Sequence, residues 1–275
     1  MQISEMMQRT VVTASPDTSL AEAQRLLLAH RIRHLPVVVD GGFVGLVTDR
    51  DIRDAMPSPA TTLSQSEVLY HMGTVSIEAC MTRQVVTAAP DDDAVTAARH
   101  LLERKFGCLP VMEHNQLVGI VTEVDFLQGF LAIAAPAGEL MLVKHYMHTT
   151  VETARSDEAI AVAYHRMKVA RIRHLPVVTQ DRKLIGMLTD RDIRQAHASD
   201  DPHLVTYERK DLLARMTVGQ VMTTRVITVG KNMPIADAGQ LLLDRRISGL
   251  PVVREGTVLE GIVTMTDLLR AYVQQ

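Results

Sequence analysis

Along the chain, short runs of β-branched residues alternate with stretches in which apolar residues recur every three or four positions, and the whole alternation occurs four times. Each copy opens on an extended stretch: Thr10-Val11-Val12-Thr13, Val85-Val86-Thr87, Val151-Glu152-Thr153 or Val226-Ile227-Thr228. A turn then leads into helical periodicity. In the first copy Ser19 and Glu22 have capping-box spacing, and Ala23, Leu26 and Leu27 make an apolar stripe toward His30. The equivalent helices are predicted from Ala94 to Glu103, Ala159 to Val169 and Ile235 to Asp244. Two short apolar strands follow, separated by a turn at Asp40-Gly41-Gly42, His114-Asn115, Gln180-Asp181 or Glu255-Gly256. The first strand carries proline near its start, where a missing amide costs least. The second ends at Thr48, Thr122, Thr189 or Thr264 and gives way to another helix. The predicted class is α+β, with four β-α-β-β-α repeats.

The repeats share a literal motif. The first reads Arg31-Ile32-Arg33-His34-Leu35-Pro36-Val37, then Gly45-Leu46-Val47-Thr48-Asp49-Arg50-Asp51. The second reads Lys105-Phe106-Gly107-Cys108-Leu109-Pro110-Val111, then Gly119-Ile120-Val121-Thr122-Glu123-Val124-Asp125. The third returns almost verbatim to the first, with Arg171-Ile172-Arg173-His174-Leu175-Pro176-Val177 and Gly186-Met187-Leu188-Thr189-Asp190-Arg191-Asp192. The fourth resembles the second, with Arg246-Ile247-Ser248-Gly249-Leu250-Pro251-Val252 and Gly261-Ile262-Val263-Thr264-Met265-Thr266-Asp267. Alternate motif glycines lie 141 and 142 residues apart, so the strongest period belongs to a pair of repeats.

On this pattern the repeats span 1–56, 78–134, 145–196 and 218–275, joined by connectors 57–77, 135–144 and 197–217. Within the connectors, Gln65 to Met72 and Tyr207 to Met216 are predicted to be helical. The small sheet of one repeat leaves an apolar face too large to expose, and pairing two repeats covers it.

Composition narrows the function classes. The chain has 275 residues, 47% of them hydrophobic, enough for two domains with their own cores. Aromatic residues make up 3% and tryptophan is absent, which leaves few stacking platforms for single-stranded nucleic acid. A formal charge of −3 supplies no basic field for phosphate backbones. Nucleic acid is therefore not an expected partner. No apolar run reaches the length of a membrane span, and the stretch from Phe130 is broken by Pro136 and closed by Glu139. A cytoplasmic protein without membrane insertion is expected. Cys80 and Cys108 stand in no metal-ligand spacing, the eleven histidines form no metal-binding pair, and no phosphate-cradling glycine loop occurs. Neither an enzyme nor a metal site is expected.

The order of elements and the four Leu-Pro-Val and Gly-x-x-Thr-x-x-Asp motifs resemble the cystathionine-beta-synthase domain, or CBS domain, over nearly the whole chain. Two such repeats resemble one Bateman module, and the long connectors resemble those of bacterial CBS proteins of the acetoin-utilisation, AcuB-like group. The resemblance implies two Bateman modules closing into a disc, either within a monomer or in a homodimer. It also implies a regulatory protein without an obligatory cofactor, binding AMP or ADP, or alternatively ATP, and acting on a separate effector protein.

The residues themselves allow two readings. Threonine ends a strand and starts a helix, so its hydroxyl and the unpaired helix-start amides face one opening where an oxyanion or sugar oxygen fits. Aspartate three residues on accepts ribose hydroxyls with its two oxygens. The bland alternative is that Thr48 with Asp51, Thr122 with Asp125, Thr189 with Asp192 and Thr264 with Asp267 are only capping boxes. The family resemblance favours the ligand, since its threonine and aspartate hold phosphate or ribose of adenine nucleotides.

Basic residues add polarity to each pair of repeats. Arg33-His34 and Arg173-His174 precede strands in the odd copies, where the even copies carry Gly107-Cys108 and Ser248-Gly249, and Arg50 and Arg191 lie beside threonine in the same odd copies. Arginine's planar fork suits phosphate oxygens. One assignment, carried over from the family, has Arg33, His34 and Arg50 serve a nucleotide on Asp125, and Arg173, His174 and Arg191 serve one on Asp267. The other keeps each ligand within the odd repeats, on Asp51 and Asp192. Charge alone ranks the Asp267 site over the Asp125 site, because Glu123 opposes a phosphate and Met265 does not. A purine between the repeats is expected to have its edge read by backbone near Thr13-Ala14, Thr87-Ala88, Thr153-Ala154 or Thr228-Val229, unless the alanines serve only close packing.

Overall fold

The computed structural model describes residues 1–55, 64–133, 141–197 and 216–274. They divide into two compact units, residues 1–130 with 272–275, and residues 131–271. The first contains α1 (Leu20–Ala29), β1 (His34–Val39), β2 (Gly42–Thr48), α2 (Asp49–Ala55), α3 (Gln65–Thr74), α4 (Ala94–Arg104), β3 (Cys108–Glu113), β4 (Gln116–Thr122) and most of α5 (Glu123–Ile133). The second contains α6 (Ile160–Ala170), β5 (His174–Val178), β6 (Leu184–Thr189), α7 (Asp190–His197), α8 (Val218–Val221), α9 (Ile235–Arg245), β7 (Gly249–Arg254), β8 (Val258–Thr264) and most of α10 (Met265–Val273). The helix predicted over Tyr207 to Met216 lies outside the described residues except for Met216.

The first helix of each repeat forms where capping and periodicity place it. Ser19 accepts the Glu22 amide at 3.2 Å, and Leu20, Ala23 and Leu27 turn inward. Asp93 caps α4 by accepting the Thr96 amide at 2.9 Å. At the other end of these helices the chain enters the left-handed region at Arg31, Lys105, Arg171 and Arg246, with φ from 52° to 57°. The basic residue shared by all four motifs thus stands at a helix C-terminus, where its charge meets the negative end of the dipole.

Each Leu-Pro-Val strand pairs antiparallel with the strand after it, and each hairpin carries a bulge, as between Val37 and Val38. In the first unit the hairpins join at Gly42 and Gln116 into a sheet ordered β1-β2-β4-β3. In the second unit the corresponding junction is one bridge between Lys183 and Val258, flanked by a bond from the Leu184 amide to the Thr257 carbonyl at 2.8 Å. The opening strands predicted from β-branched residues do not form; the residue after each stretch makes a single parallel bridge instead: Ala14 on Val37, Ala88 on Val111, Ala154 on Val177 and Val229 on Val252. Pro36, Pro110, Pro176 and Pro251 accept on that side with their carbonyls.

The segment ahead of each repeat packs on the partner repeat of the same unit. Residues 2–8 pair with repeat 2 through Gln2 with Asp93 and Gln8 with Ile120, while residues 76–82 pair with repeat 1 through Ser76 with Ser19 and Thr82 with Leu46. The second unit repeats the exchange: Leu142 meets Pro234 and His148 meets Ile262, whereas Thr217 meets Ala159 and Thr223 meets Met187. Ile3, Ile77, Val143 and Val218 anchor the four segments and are fully buried. Each burial contributes on the order of 1.5–3 kcal/mol, which ties the two repeats of a unit together. Segment 76–82, divided by the sequence pattern between a connector and repeat 2, supplies Ile77 and Met81 to the core of repeat 1 beside Leu20, Leu35 and Val47.

The exchanged segments also explain the motif glycines. A β-carbon at Gly45 would stand 2.9 Å from the Thr82 carbonyl, and one at Gly261 would stand 2.7 Å from that of His148. At Gly119 the Met7 sulfur is nearest and the Gln8 carbonyl stands 3.1 Å away, and at Gly186 the nearest atoms belong to the Met222 side chain. At Gly45 and Gly261 the obstacle is backbone, so no side chain fits beneath the crossing there.

Candidate functional site

The four Thr-x-x-Asp sequences lie at the junctions β2–α2, β4–α5, β6–α7 and β8–α10. In each, one aspartate oxygen closes back on the threonine. Asp51 Oδ2 accepts the Thr48 amide at 2.8 Å and its hydroxyl at 2.7 Å. Asp125, Asp192 and Asp267 repeat this with amide distances of 2.8, 2.8 and 2.9 Å and a hydroxyl distance of 2.6 Å in each case. The Asp51 and Asp192 amides also approach the threonine hydroxyls at 3.3 Å. Capping is therefore present in every repeat, and Oδ2 is committed to it.

The second carboxylate oxygen separates the repeats into two kinds. Oδ1 of Asp125 accepts Gln8 Nε2 at 2.8 Å. Oδ1 of Asp267 meets His148 Nε2 at 2.9 Å and accepts Arg270 at 3.1 Å. Both aspartates are buried, at 5% and 2% exposure. Asp51 and Asp192 are only half-buried. Oδ1 of Asp192 is reached by the Thr223 hydroxyl at 3.3 Å, and Oδ1 of Asp51 has no hydrogen bond among the described residues. Gln8, Thr82, His148 and Thr223 occupy one equivalent position, the residue after methionine in the exchanged segment. No sequence motif singles out Gln8 or His148, because each lies more than 100 residues from its aspartate.

The Arg-His sequences of the odd repeats face the small residues of the even ones. The His34 imidazole occupies the space above Gly107. His174 lies against Gly249 and its Nε2 is 3.0 Å from the Ser248 hydroxyl. In the first unit His34 thus excludes a side chain at the position equivalent to Arg33, and in the second His174 crowds the position equivalent to its own. Arg33 is half-buried and Arg173 exposed, and their carbonyls accept the first amides of α2 and α7 at 3.2 and 3.3 Å. Arg50 and Arg191 are exposed on the first turns of these helices. The motif of the odd repeats thus carries threonine, a half-buried aspartate and two arginines; the residue after threonine is acidic there too, Asp49 or Asp190, against half-buried Glu123 or buried Met265 in the even repeats.

Both thiols are shifted away from the thiolate form. Burial pushes the Cys108 thiol up to about 12, with nearby Arg33 acting in the opposite direction. Cys80 is raised by burial and, secondarily, by the charge of Asp51. Among the described residues no three His, Cys, Asp or Glu side chains are grouped to hold a metal ion, and no helix is long and apolar enough to cross a membrane.

In the stretches expected to read a purine edge, the second residue of each pairs with the sheet. The Ala14 amide donates to the Pro36 carbonyl at 3.0 Å and the Ala14 carbonyl accepts the Val38 amide at 2.8 Å, an arrangement repeated at Ala88, Ala154 and Val229. These four residues are buried, as the close-packing alternative requires of them. A cavity of about 160 Å³ lies beside this stretch in repeat 2, lined by Val86, Thr87, Asp93, Thr96 and His100 among others. It does not reach a Thr-Asp pair.

Comparison with known proteins agrees with this architecture. A family model of the CBS domain matches residues 3–58, 75–132, 143–199 and 218–274. Protein MJ1225 of Methanocaldococcus jannaschii is 25% identical over 273 residues, 96% of each chain. Its crystal structure, described as that of a suggested archaeal homologue of γ-AMPK, superposes with a TM-score of 0.81 at 24% identity, covering 99% of this chain and 100% of that one. The CBS domain-containing protein YhcV of Bacillus subtilis is 35% identical over 126 residues, 46% of this chain and 81% of its own length.

Proposed function

The chain belongs to the CBS domain family, and from that premise we propose that it is a regulatory protein without catalytic activity, binding an adenine nucleotide, AMP or ADP before ATP, between paired repeats. The observation that carries this reading is the junction geometry of the odd repeats. There a half-buried aspartate has its Oδ2 fixed by threonine, and the same motif carries arginines on the first turn of the following helix and just ahead of the first strand of the hairpin. A fixed carboxylate accepts sugar hydroxyls without having to be ordered first, and guanidinium groups suit phosphate. The phosphate lies toward Arg33-His34 and Arg173-His174, with Arg50 and Arg191 as further positive groups. Binding acts on a separate effector protein by shifting the arrangement of the repeats, which requires different affinities for the two arrangements.

Equilibrium titration of the purified chain with AMP, ADP, ATP and S-adenosylmethionine tests this. Saturable binding of one or more supports the reading, and absence of saturation by all four removes it. A second reading, an interaction scaffold with vestigial pockets, is favoured by Asp125 and Asp267, which are buried with both oxygens engaged. Recovery of a stable protein partner that is indifferent to added nucleotide distinguishes it.

A further inference from the structure

The four Thr-Asp pairs do not have the same capacity to take a ligand, and the difference lies outside the motif. A carboxylate has about four lone-pair positions for hydrogen-bond donors. In Asp267, Oδ2 takes the Thr264 amide and hydroxyl, and Oδ1 takes His148 and Arg270. It is saturated and buried. Asp125 has Thr122 on Oδ2 and Gln8 on Oδ1, and its remaining capacity is buried. In Asp192 the only contact at Oδ1 among the described residues is the 3.3 Å approach of Thr223, whose hydroxyl can rotate away. Asp51 has Oδ1 unoccupied among the described residues.

We infer that Gln8 and His148 are built-in occupants that close the Thr-Asp pairs of the even repeats, and that the ribose hydroxyls of the ligand are accepted by Asp51 and Asp192. This rests on the nucleotide reading above. In the even repeats, the residue after methionine reaches over the strand crossing and donates to the aspartate in the place of a sugar hydroxyl. In the odd repeats the same position is Thr82 or Thr223, and of these two only the Thr223 hydroxyl reaches its aspartate among the described residues, at 3.3 Å. The closed pairs serve instead as clasps, fixing residues 2–8 and 141–148 to the repeats on which they pack. Access then sets the order of sites in place of the charge of Glu123 and Met265. Arg50 and Arg191 stand at the open pairs, so phosphate-binding and ribose-binding groups fall within the same repeats.

The test uses the full chain with AMP and adenosine as probes, followed by calorimetry, and with amide hydrogen exchange recorded without ligand. Asp51→Asn and Asp192→Asn are each expected to remove one class of AMP sites or weaken it by about tenfold or more. Gln8→Thr with His148→Thr is expected to add binding stoichiometry and, without ligand, to speed exchange in residues 2–8 and 141–148. Loss of AMP binding in Asp125→Asn and Asp267→Asn, with wild-type binding in Asp51→Asn and Asp192→Asn, would overturn the inference. So would unchanged stoichiometry and unchanged exchange in the double variant. If the wild-type chain binds neither probe, the nucleotide reading fails by itself, and the exchange rates still decide whether Gln8 and His148 are clasps.

Discussion

The imidazole of His34 fills the space that a β-carbon on Gly107 would take. In the second unit His174 meets Gly249, one motif position later, and the approach is looser, since a β-carbon on Gly249 would stand 3.1 Å from the ring. Gly107→Ala is therefore expected to lower stability by about 1–3 kcal/mol through overpacking, and Gly249→Ala by less. Adding His34→Ala to Gly107→Ala should return part of that loss, a coupling that a double-mutant cycle in denaturant measures directly. Additive effects would show that the two residues do not share the space.

Much of the fold is legible in the residues because its signals are local. Ser19, Asp93 and the apolar stripes place the first helices to within one residue, and Leu-Pro-Val with Gly-x-x-Thr places the hairpins. The alternation of Arg-His with Gly-Cys or Ser-Gly is equally visible. Its cause is not, because His34 and Gly107 meet only once two repeats pair. The exchange of segments is hidden for the same reason: Ile3 looks like part of repeat 1 but is buried against repeat 2, and the Gln8–Asp125 bond spans 117 residues. The opening stretches read as strands because their residues are β-branched, yet only the residue that follows each one bridges to the neighbouring strand.

The two thiols should separate under alkylation. Cys108 is buried with its ionisation pushed up to about 12, so almost no thiolate exists at neutral pH, whereas Cys80 is only half-buried. Peptide mapping after brief treatment with iodoacetamide should find Cys80 modified first and Cys108 modified only on unfolding. Arg33→Ala should make Cys108 less reactive still, because the guanidinium acts to lower its ionisation. Prompt labelling of native Cys108 would contradict its burial.

Asp93 gives a pH signature. Its carboxylate caps α4 through the Thr96 amide and hydroxyl, both at 2.9 Å, and these bonds hold its ionisation below the ordinary value of 3.8. A depressed carboxylate contributes stability above the unfolded value, and that contribution disappears as pH falls through the folded one. Asp93→Ala should cost about 1 kcal/mol at pH 7, from loss of the cap. The gap from wild type should narrow as the pH drops below 3.8. Asp93→Asn, which retains a capping oxygen, should lose the pH dependence of this cap with little loss at neutral pH. Denaturation midpoints measured at neutral and acid pH decide the matter.

Arg173 separates phosphate recognition from nucleoside recognition. It is exposed at the entrance to β5, so its removal disturbs packing less than removal of His174, which lies against Gly249 and Ser248. A hydrogen bond to a charged group contributes about 1.5–3 kcal/mol, and solvent screening at an exposed guanidinium places this one at the lower end. A loss of about 1.4 kcal/mol is tenfold in affinity. Arg173→Ala is thus expected to weaken AMP about tenfold at the second unit while adenosine changes by less than about twofold, and raising the salt concentration should shrink the difference. Asp192→Asn should weaken both ligands, because it removes a contact to the sugar they share. Equal losses of AMP and adenosine in Arg173→Ala would place the phosphate elsewhere.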